Sequence, residues 1–392
     1  MSPAYFPNVK LFDGEEVQTG AGVLVDGPAI SWVGSHDRAP REARAADEMD
    51  TAGATLTPGL IDCHVHLCFD GQPNFVAEAN ITEAYAAVKC IGNAERHLRA
   101  GVTAVRDLGG LGSVACDVAK AIDEGRVQGP RVVASGQALT ISGGHGWNTF
   151  ARQVDGAEGV RRAVREQMRS GARSIKIVAT GGVLTPAIPV DFSSFTPEEI
   201  DAAVDEAHKW GVPIAAHAIG RTGIQNCVGA GIDSIEHGSQ IDRDIAQQMR
   251  ERGTFHVPTI NALRGIVDHP EDVPAYAVEK GKQIIGMAEV AFRTAMDAGV
   301  SHACGTDAGT PHNPHGSAPL EMIRMVEWGL SPVGSIQAAT SNAARLLRLS
   351  NVGSVREGMA ADLVLWEGDP TEDINAVLSP RLVMTAGGVL PR

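Results

Sequence analysis

The chain has 392 residues, of which 43% are hydrophobic and 20% are charged, a composition typical of a globular protein with a large core. Its 33 Lys and Arg residues against 47 Asp and Glu residues give a formal net charge of −14, which argues against nucleic acid and anionic membranes as partners. The composition therefore excludes disordered, collagen-like and membrane-spanning classes. Thirteen His residues against three Tyr are unusual, and His is the side chain that most often binds metal ions.

Both ends of the chain are predicted to form short strands. In residues 1–56 the β-rich segments are NVKLF, GVLVD and AISWVG, with a hairpin turn expected at Asp26 and Gly27. In residues 354–392 they are ADLVLWEG, NAVLS and RLVMTAGG. Because chain ends commonly lie close together, we expect the two ends to form one composite β-sandwich domain.

Residues 57–353 alternate between short apolar runs and helical patterns. This alternation predicts an α/β fold with a parallel sheet, and eight strands are the number that closes a (β/α)8 TIM barrel. The eight predicted strands lie in GLIDCHVHL, GVTAVRDLG, RVVASG, SIKIVATGG, VPIAAHA, SIEHG, TFHVPT and HACGTDAG.

Two of the intervening segments carry clear helix signals. In TPEEIDAAVDEAHKWG, Thr196 is a suitable N-cap, Pro197 occupies the first helical position, Glu199 completes a capping box and Gly211 ends the helix. The segment EGVRRAVREQMRSG has one apolar face and also ends at a glycine.

The location of the protein is predicted to be the cytoplasm. The first thirty residues show no export signal, and no apolar run approaches the roughly 18 residues needed to span a bilayer. The six cysteines form no CxxC pair, so we expect buried or free thiols in a reducing compartment.

Unusual polar side chains occur near the ends of five of the predicted strands, which is where active groups lie in such a barrel. Two of them alternate along one strand and therefore point to the same face. A lone histidine here could equally be a core or rim residue, but a buried lysine and a buried aspartate both need partners. A divalent metal among them would satisfy the whole set. The residues are His64, His66, Lys176, His217, His237 and Asp307.

These residues stand in recognisable motifs. TPGLIDCHVHL resembles the opening signature of the amidohydrolase superfamily, and AHA, IEHG and GTD around His217, His237 and Asp307 are similar to its later signatures. GMAADLVLWEGDP resembles the return of such chains to a small β-sandwich. ISGGHG around His145 and IVATGGV around Lys176 resemble the imidazolonepropionase-like branch, which contains metal-dependent dipeptidases of the prolidase and Xaa-Arg/Lys type.

The resemblance implies a distorted (β/α)8 barrel that holds two divalent metal ions, usually zinc. The implied ligands are His64, His66 and Asp307 for one ion, His217 and His237 for the other, and Lys176, N6-carboxylated, as the bridge between them. Neutral imidazoles suit zinc, and a lysine carbamate removes the problem of a buried cation.

The implied activity is hydrolysis of an amide or peptide-type C–N bond in a small molecule such as a dipeptide or N-acyl amino acid. A hydroxide bridging the two ions would attack the carbonyl. Asp307 would move the proton to the leaving nitrogen, and His145 would contact the substrate. The branch often has Tyr two residues after the fifth-strand His, where this chain has Ile219, which indicates a less charged or more hydrophobic substrate. Arg221 could contact the substrate or simply be solvated.

Other functions stay open at this point. One is a mononuclear deaminase or an imidazolonepropionase-type hydrolase of cyclic amides, although such enzymes usually carry Glu shortly after the fifth-strand His. A hydrolase of carbamates, ureas or lactones is another, and outside enzymes a non-catalytic scaffold is the alternative. The resemblance also leaves a homo-oligomer open.

Several further residues have two possible roles. Trp147, Phe150, Ile188 and Phe192 could form a lid or could cover the edge of the barrel. We expect His256, His312 and His315 to support the ligands through hydrogen bonds, and His302 to belong to the core.

Overall fold

The computed structural model describes residues 2–391. The strands are, in chain order, β1 (Ala4–Phe12), β2 (Val17–Asp26), β3 (Ala29–Ser35), β4 (Asp47–Glu48), β5 (Ala54–Pro58), β6 (Leu60–Val65), β7 (Val102–Asp107), β8 (Arg131–Ala134), β9 (Ala138–Thr140), β10 (Ala151–Gln153), β11 (Ile175–Val178), β12 (Ile214–Ala218), β13 (Ser234–His237), β14 (Phe255–Val257), β15 (Leu363–Glu367), β16 (Pro380–Thr385) and β17 (Gly388–Val389).

The α-helices are α1 (Phe75–Ala79), α2 (Glu83–Arg99), α3 (Val114–Asp123), α4 (Ala157–Arg169), α5 (Pro197–Lys209), α6 (Arg221–Ala230), α7 (Arg243–Arg252), α8 (Ile260–Val267), α9 (Ala275–Asp297), α10 (Ala318–Glu327), α11 (Pro332–Ala338) and α12 (Ser341–Leu346). Short 3-10 helices occupy His36–Arg38, Arg41–Ala45 and Ile374–Leu378.

The two ends of the chain form one eight-stranded sheet. Its strand order is β17-β16-β15-β5-β1-β2-β3, and β4 pairs with β1. The join between the two ends is the antiparallel pair β5 and β15, in which Leu56 lies opposite Leu365. The predicted hairpin turn is confirmed, since Asp26 pairs with Ala29. The prediction of a strand at NAVLS is wrong, because most of this segment belongs to the 3-10 helix Ile374–Leu378.

The middle of the chain contains two parallel sheets. One has the order β6-β7-β8, and the other has the order β10-β9-β11-β12-β13-β14. Seven of the eight predicted apolar segments therefore form regular strands. Helices follow most of these strands, so the carboxyl ends of neighbouring strands lie at one common edge, where the chemistry was expected.

The eighth predicted segment does not form a regular strand, although the structure describes all of residues 301–308. Its backbone nevertheless bonds to both neighbours: Ala303 donates to the carbonyl of His256 at 3.0 Å, and Asp307 donates to the carbonyl of His64 at 2.7 Å. A Cβ at Gly305 would lie 2.4 Å from Val257 Cγ1, so this close approach requires glycine. The segment links β14 to β6 and brings Asp307 beside His64.

Helix α5 follows its sequence signals closely. The Thr196 side chain accepts from the backbone of Glu199, and the Glu199 side chain accepts from the backbone of Thr196, which completes the predicted capping box. Ile200 and Val204 are buried on its inner face. The chain leaves the helix through Gly211, whose φ of +73° suits glycine.

The cysteines and the helix lengths agree with the composition. All six cysteines are buried and free, although the sulfurs of Cys68 and Cys90 approach to 3.5 Å. Within residues 2–391, no helix combines the length and the apolar character that crossing a bilayer requires.

Candidate functional site

All six residues predicted as metal ligands line one cavity at the carboxyl edge of the parallel strands. His64 lies in β6 and His66 directly follows it, Lys176 lies in β11, His217 in β12 and His237 at the end of β13. Asp307 comes from the irregular eighth segment. The cavity contains about 620 Å3 of space between atoms, its opening to solvent included.

Each histidine of the cavity is held through one ring nitrogen. His64 Nδ1 donates to Glu236 Oε2 at 2.8 Å. Two rings donate to backbone carbonyls, His66 Nδ1 to Gly109 at 2.7 Å and His217 Nε2 to Gly181 at 2.8 Å. Two rings bond threonine hydroxyls, His237 Nδ1 that of Thr259 at 2.6 Å and His145 Nδ1 that of Thr185 at 2.7 Å. Anchoring of this kind orients metal-binding imidazoles and fixes their tautomer. The second nitrogen of each ring is thereby left for a ligand.

His64, His66 and Asp307 form a compact donor set. One ligand atom from each lies within 4.8 Å of the other two. Asp307 Oδ1 lies 3.1 Å from His66 Nε2 and 3.4 Å from His64 Nε2, yet it is buried without a hydrogen bond of good geometry. A buried carboxylate oxygen in that state is costly, and a cation bound at this point would satisfy it. The donor set therefore fits a divalent metal ion.

Lys176 connects this set with the two remaining histidines. The rings of His217 and His237 lie 4.5 Å apart, and that of His237 lies 5.5 Å from that of His64. Lys176 Nζ lies 3.5 Å from His64 Nε2, its side chain is buried, and among the described residues no carboxylate forms an ion pair with it. Burial lowers the pKa of this amine to about 8, although Glu236 and Asp307 partly oppose the shift.

Most of the charge states suit metal binding at neutral pH. Burial alone would lower the pKa of His66, but Asp307 raises it, so a metal ion that binds this ring would displace a proton. Burial holds the pKa of His64, His217 and His237 well below the usual value, so these rings are neutral. Burial alone would raise the pKa of Asp307, but His64, His66 and Lys176 outweigh it and keep the group ionised. Neutral imidazoles and an ionised carboxylate are the forms that bind metal.

Three of the seven described non-glycine residues with positive φ belong to this site. Asp307, His237 and Thr259 have φ values of 59°, 69° and 52°, in the left-handed region that residues with a Cβ seldom occupy. Such conformations cost about 1–3 kcal/mol each and are retained where the surroundings enforce them. Two of these residues were predicted as ligands, and the third anchors a ligand.

A buried ionic network behind His64 was missed by the sequence reasoning. Glu236 accepts from His64 at 2.8 Å and from Arg106 Nη2 at 2.9 Å, and both Glu236 and Arg106 are fully buried. Arg106 also donates to the carbonyl of Cys63 at 2.6 Å and to Ser234 Oγ at 3.1 Å. The available signal was a charged residue inside each of the apolar strands GVTAVRD and SIEHG.

The remaining wall of the cavity is apolar. It includes the predicted residue Ile219, and much of it comes from helix α8, whose side chains the sequence did not mark. The apolar lining residues are Phe75, Phe150, Val183, Leu184, Ile219, Ala262, Leu263, Ile266 and Ile284.

Arg221 does not line the cavity, contrary to one expectation. It begins helix α6 at the surface, where Nε donates to Asp242 at 2.6 Å and Nη1 donates to Gln225 at 2.8 Å. The acidic N-cap of the next helix therefore holds this guanidinium away from the site. Of the four candidate lid residues, Phe150 is buried and lines the cavity, while Trp147 and Phe192 are exposed.

The histidines predicted to support the ligands divide into two groups. His256 Nε2 donates to the carbonyl of His237 at 3.0 Å, as expected. His312 stacks on His269 at 4.0 Å, and His315 bonds His97 and the carbonyl of Phe69. Neither of them bonds a predicted ligand, because each is engaged by other partners, namely His269 for His312 and His97 and Phe69 for His315.

His302 is buried and stacks on Phe292 at 4.4 Å, which confirms its predicted place in the core.

Comparison with known proteins agrees with this geometry. The amidohydrolase family model matches residues 55–390. Ochratoxinase of Aspergillus niger is 32% identical over 401 aligned positions, which cover 95% of this chain and 82% of that protein. Imidazolonepropionase of Cereibacter sphaeroides is 26% identical, covering 94% of each chain.

A crystal structure of a Xaa-Pro dipeptidase with methionine in its active site superimposes with a TM-score of 0.92. The sequence identity is 33%, and the superposition covers 99% of this chain and 100% of that one. These matches confirm the (β/α)8 class of fold and the resemblance to the branch that contains imidazolonepropionases and prolidases. The chain therefore belongs to the amidohydrolase family and is a metal-dependent hydrolase of C–N bonds in small molecules.

Proposed function

We propose that the protein hydrolyses an amide or peptide-type C–N bond at a centre of two divalent metal ions. The observation that carries this proposal is Lys176, a buried amine without a carboxylate partner, which lies 3.5 Å from His64 at the junction of the two histidine groups. The similarity to a dipeptidase and to ochratoxinase supports dipeptides and N-acyl amino acids as the general type of substrate.

The donor set suggests which residues hold each ion. His64, His66 and Asp307 would bind one ion, and His217 and His237 would bind the other. The many imidazole donors favour zinc. When bound, the ions lower the pKa of a water molecule and polarise the carbonyl of the substrate.

Lys176 would bridge the ions as a carbamate. Its neutral amine attacks carbon dioxide, a C–N bond forms, one proton is released, and the product is an anion with two oxygens. The lowered pKa of about 8 favours this reaction, because only the neutral amine is nucleophilic. A carbamate also removes an unpaired cation from a buried position.

Two other side chains would act on the substrate. Asp307 takes up the proton of the attacking water and passes it to the leaving nitrogen. Thr185 Oγ1 accepts from the backbone of Gly146 at 3.3 Å and can donate to His145 Nδ1, which leaves the Nε2 proton of His145 for the substrate carbonyl. Ile219 would contact an apolar part of the substrate.

Replacing Lys176 by Ala tests the proposal. We expect activity against dipeptides and N-acyl amino acids to disappear and the metal content to fall by at least one equivalent per chain. Lys120→Ala is the matched control, since Lys120 is exposed on α3. Wild-type turnover with unchanged metal content in Lys176→Ala would refute the bridge.

A mononuclear deaminase or cyclic-amide hydrolase is the second candidate. The observation in its favour is that His64, His66 and Asp307 already form a compact donor set by themselves. One metal equivalent per chain in the fully active enzyme would select it.

We also propose a finer architecture. The bonds from residues 301–308 to β14 and β6 support a distorted but closed barrel over residues 57–353. Residues 1–56 and 354–392 would form a β-sandwich, because a bridge between Ala29 and Ala360 curls the composite sheet back on itself.

The six free thiols support a cytoplasmic location.

A further inference from the structure

We infer that the preferred substrate is an uncharged amide with apolar groups on both sides of the scissile bond, rather than a free dipeptide or an N-acyl amino acid. This inference rests on the proposed hydrolysis of an amide bond, and it replaces the dipeptides and N-acyl amino acids suggested by the relatives with neutral amides as the preferred substrates. It follows from the contrast between the floor of the cavity, which is formed by the candidate metal ligands, and its apolar wall. The positions of the nearby cationic side chains point the same way.

The wall offers two apolar surfaces next to the candidate metal ligands. On one side Phe150 lies against the rings of His66 and His145, at centroid distances of 5.0 and 5.8 Å, and Phe75 extends the surface at 6.2 Å from Phe150. On the other side, α8 and α9 contribute aliphatic side chains. If the scissile bond lies at the candidate metal ligands, the substituents on both sides of it would therefore contact apolar side chains.

Apart from the metal ions of the proposed centre, which the scissile carbonyl and the attacking water would occupy, the described residues of the lining offer no cation to a substrate carboxylate. Among the described residues that line the cavity, Lys176 is the single basic amine, and the proposed carbamate removes its charge. The other polar groups are imidazoles, the Asp307 carboxylate and the hydroxyl of Thr310.

The nearest cations outside the lining are already engaged. Lys280 Nζ donates to the carbonyls of Gly182, Thr185 and Ile188, at 3.2, 2.6 and 2.6 Å, which uses all three of its protons. Arg221 is bonded to Asp242 on the surface. Neither side chain is free to turn toward a bound ligand.

A carboxylate that lay against the wall of this cavity would lose its hydration without gaining an ion pair with a side chain. Such desolvation is far more costly than that of a neutral group of the same size. An aromatic or aliphatic substituent would instead gain from leaving water, by roughly 25 cal/mol for each Å2 that it buries. The cavity thus selects against charge and in favour of apolar bulk.

Three amides of one benzoyl group test the inference. N-Benzoyl-phenethylamine is neutral, N-benzoyl-phenylalanine adds a carboxylate, and N-benzoyl-phenylalaninamide replaces that carboxylate by a neutral group of similar size. We expect kcat/KM to be at least about tenfold higher for both neutral compounds than for the acid. Equal or faster hydrolysis of the acid would overturn the inference and leave the proposed function intact.

Calorimetric binding of the same compounds provides a readout that needs no turnover. The neutral pair should bind at least about tenfold more tightly than the acid. If none of the three is hydrolysed, the proposed function fails for this class, while the order of affinities still decides the inference. Tighter binding of the acid would contradict it.

A cation added at the mouth should reverse the preference. Leu184 is partly exposed and lines the cavity, so Leu184→Arg would introduce a charge there, and Leu184→Met is the uncharged control. We expect the ratio of kcat/KM for the acid to that for the phenethylamide to rise about tenfold in the Arg variant alone. An unchanged ratio, with an unaltered melting temperature and metal content, would count against the inference.

Discussion

At the scale of single residues, the site depends on side chains that never touch a substrate. Glu236 holds His64 through one oxygen and Arg106 through the other, and all three side chains are buried. A carboxylate in this position fixes the ring of the ligand and raises its basicity. The orientation of the His64 ring therefore depends on Glu236 and Arg106, which do not line the cavity.

Replacing Glu236 by Gln should weaken metal binding about 10–100-fold, because the neutral amide orients His64 less firmly. It also leaves the buried Arg106 without its counter-charge, at a cost of about 3–5 kcal/mol in the free energy of unfolding. Metal titration and denaturant unfolding measure the two effects. Glu95→Gln, on the exposed face of α2, is the control. Unchanged metal affinity would show that this contact does not orient the ligand.

The pKa of Lys176 predicts how carbamate formation depends on pH. Since the reaction needs the neutral amine, carbon dioxide uptake by metal-free protein should rise as the pH increases through about 8. The carbamate signal in 13C NMR with labelled bicarbonate measures it, and Lys176→Ala should lack the signal. A signal that is independent of pH between about 6 and 9 would contradict this pKa.

The six candidate ligands could be predicted from the sequence because each of them is a polar residue in or directly after a predicted apolar strand. Their anchors could not, since Thr185 and Thr259 lie in loops whose path the sequence does not define. The surface position of Arg221 could not be predicted for a related reason. Its neighbour Asp242 is remote in sequence, and only the fold brings them together.

At the scale of elements, helix α9 fastens the loop that covers the cavity. Lys280 on α9 binds three backbone carbonyls of residues 182–188, and the hydroxyl of Tyr276 donates to the carbonyl of Leu184 at 3.1 Å. This loop contributes Val183 and Leu184 to the wall and Thr185 to the anchor of His145. The helix therefore positions both the wall and a substrate-binding residue.

Lys280→Met should loosen this loop while leaving the metal ligands in place. We expect faster amide hydrogen exchange across residues 181–192 and a fall of about tenfold in kcat/KM, because His145 loses its fixed position. Metal content should not change. Lys282→Met, at an exposed position of the same helix, is the control. Unaltered exchange in the loop would remove this role from Lys280.

The types of most elements followed from periodicity and capping, and the exceptions have local causes. NAVLS has the apolar residues of a strand, but the side chain of Asp373 accepts from the backbone of Asn375 at 3.0 Å and starts a 3-10 turn. The eighth segment stays irregular because Gly305 packs against Val257 and because Asp307 adopts a positive φ. In the second case, an irregular backbone is what brings a carboxylate to the histidines.

At the scale of the whole molecule, one large side chain packs at the junction between the composite sheet and the parallel sheets. Trp366 in β15 is fully buried, and its indole donates to Thr57 Oγ1 at 2.9 Å. A Cβ at Gly101 would lie 2.9 Å from its ring, so the indole packs directly against the chain that enters β7. The two ends of the chain thus stabilise the unit that carries the site.

Trp366→Ala should lower the free energy of unfolding by about 3–5 kcal/mol, because it opens a large cavity at this junction. Denaturant unfolding measures the loss, and Trp210→Ala is the control, since Trp210 is 53% exposed. A loss of similar size in both variants would indicate that the junction does not depend on Trp366.

The pairing of the two chain ends was predictable in outline, because both ends had the same β-rich character. The central position of the β5–β15 pair was not, since register depends on partners more than 300 residues apart in the sequence, such as Leu56 and Leu365. The same limit applies to the cavity wall, which assembles side chains from α1, α8 and α9 that no local motif connects.

The central claim is that two metal ions, bridged by Lys176, form the active centre. The most direct test is to add zinc stepwise to metal-free protein in the presence of bicarbonate and to follow hydrolysis. Activity should reach its maximum at two equivalents per chain in the wild type, whereas Lys176→Ala should stay inactive at every ratio. Full activity at one equivalent, or an active Lys176→Ala variant, would contradict the account.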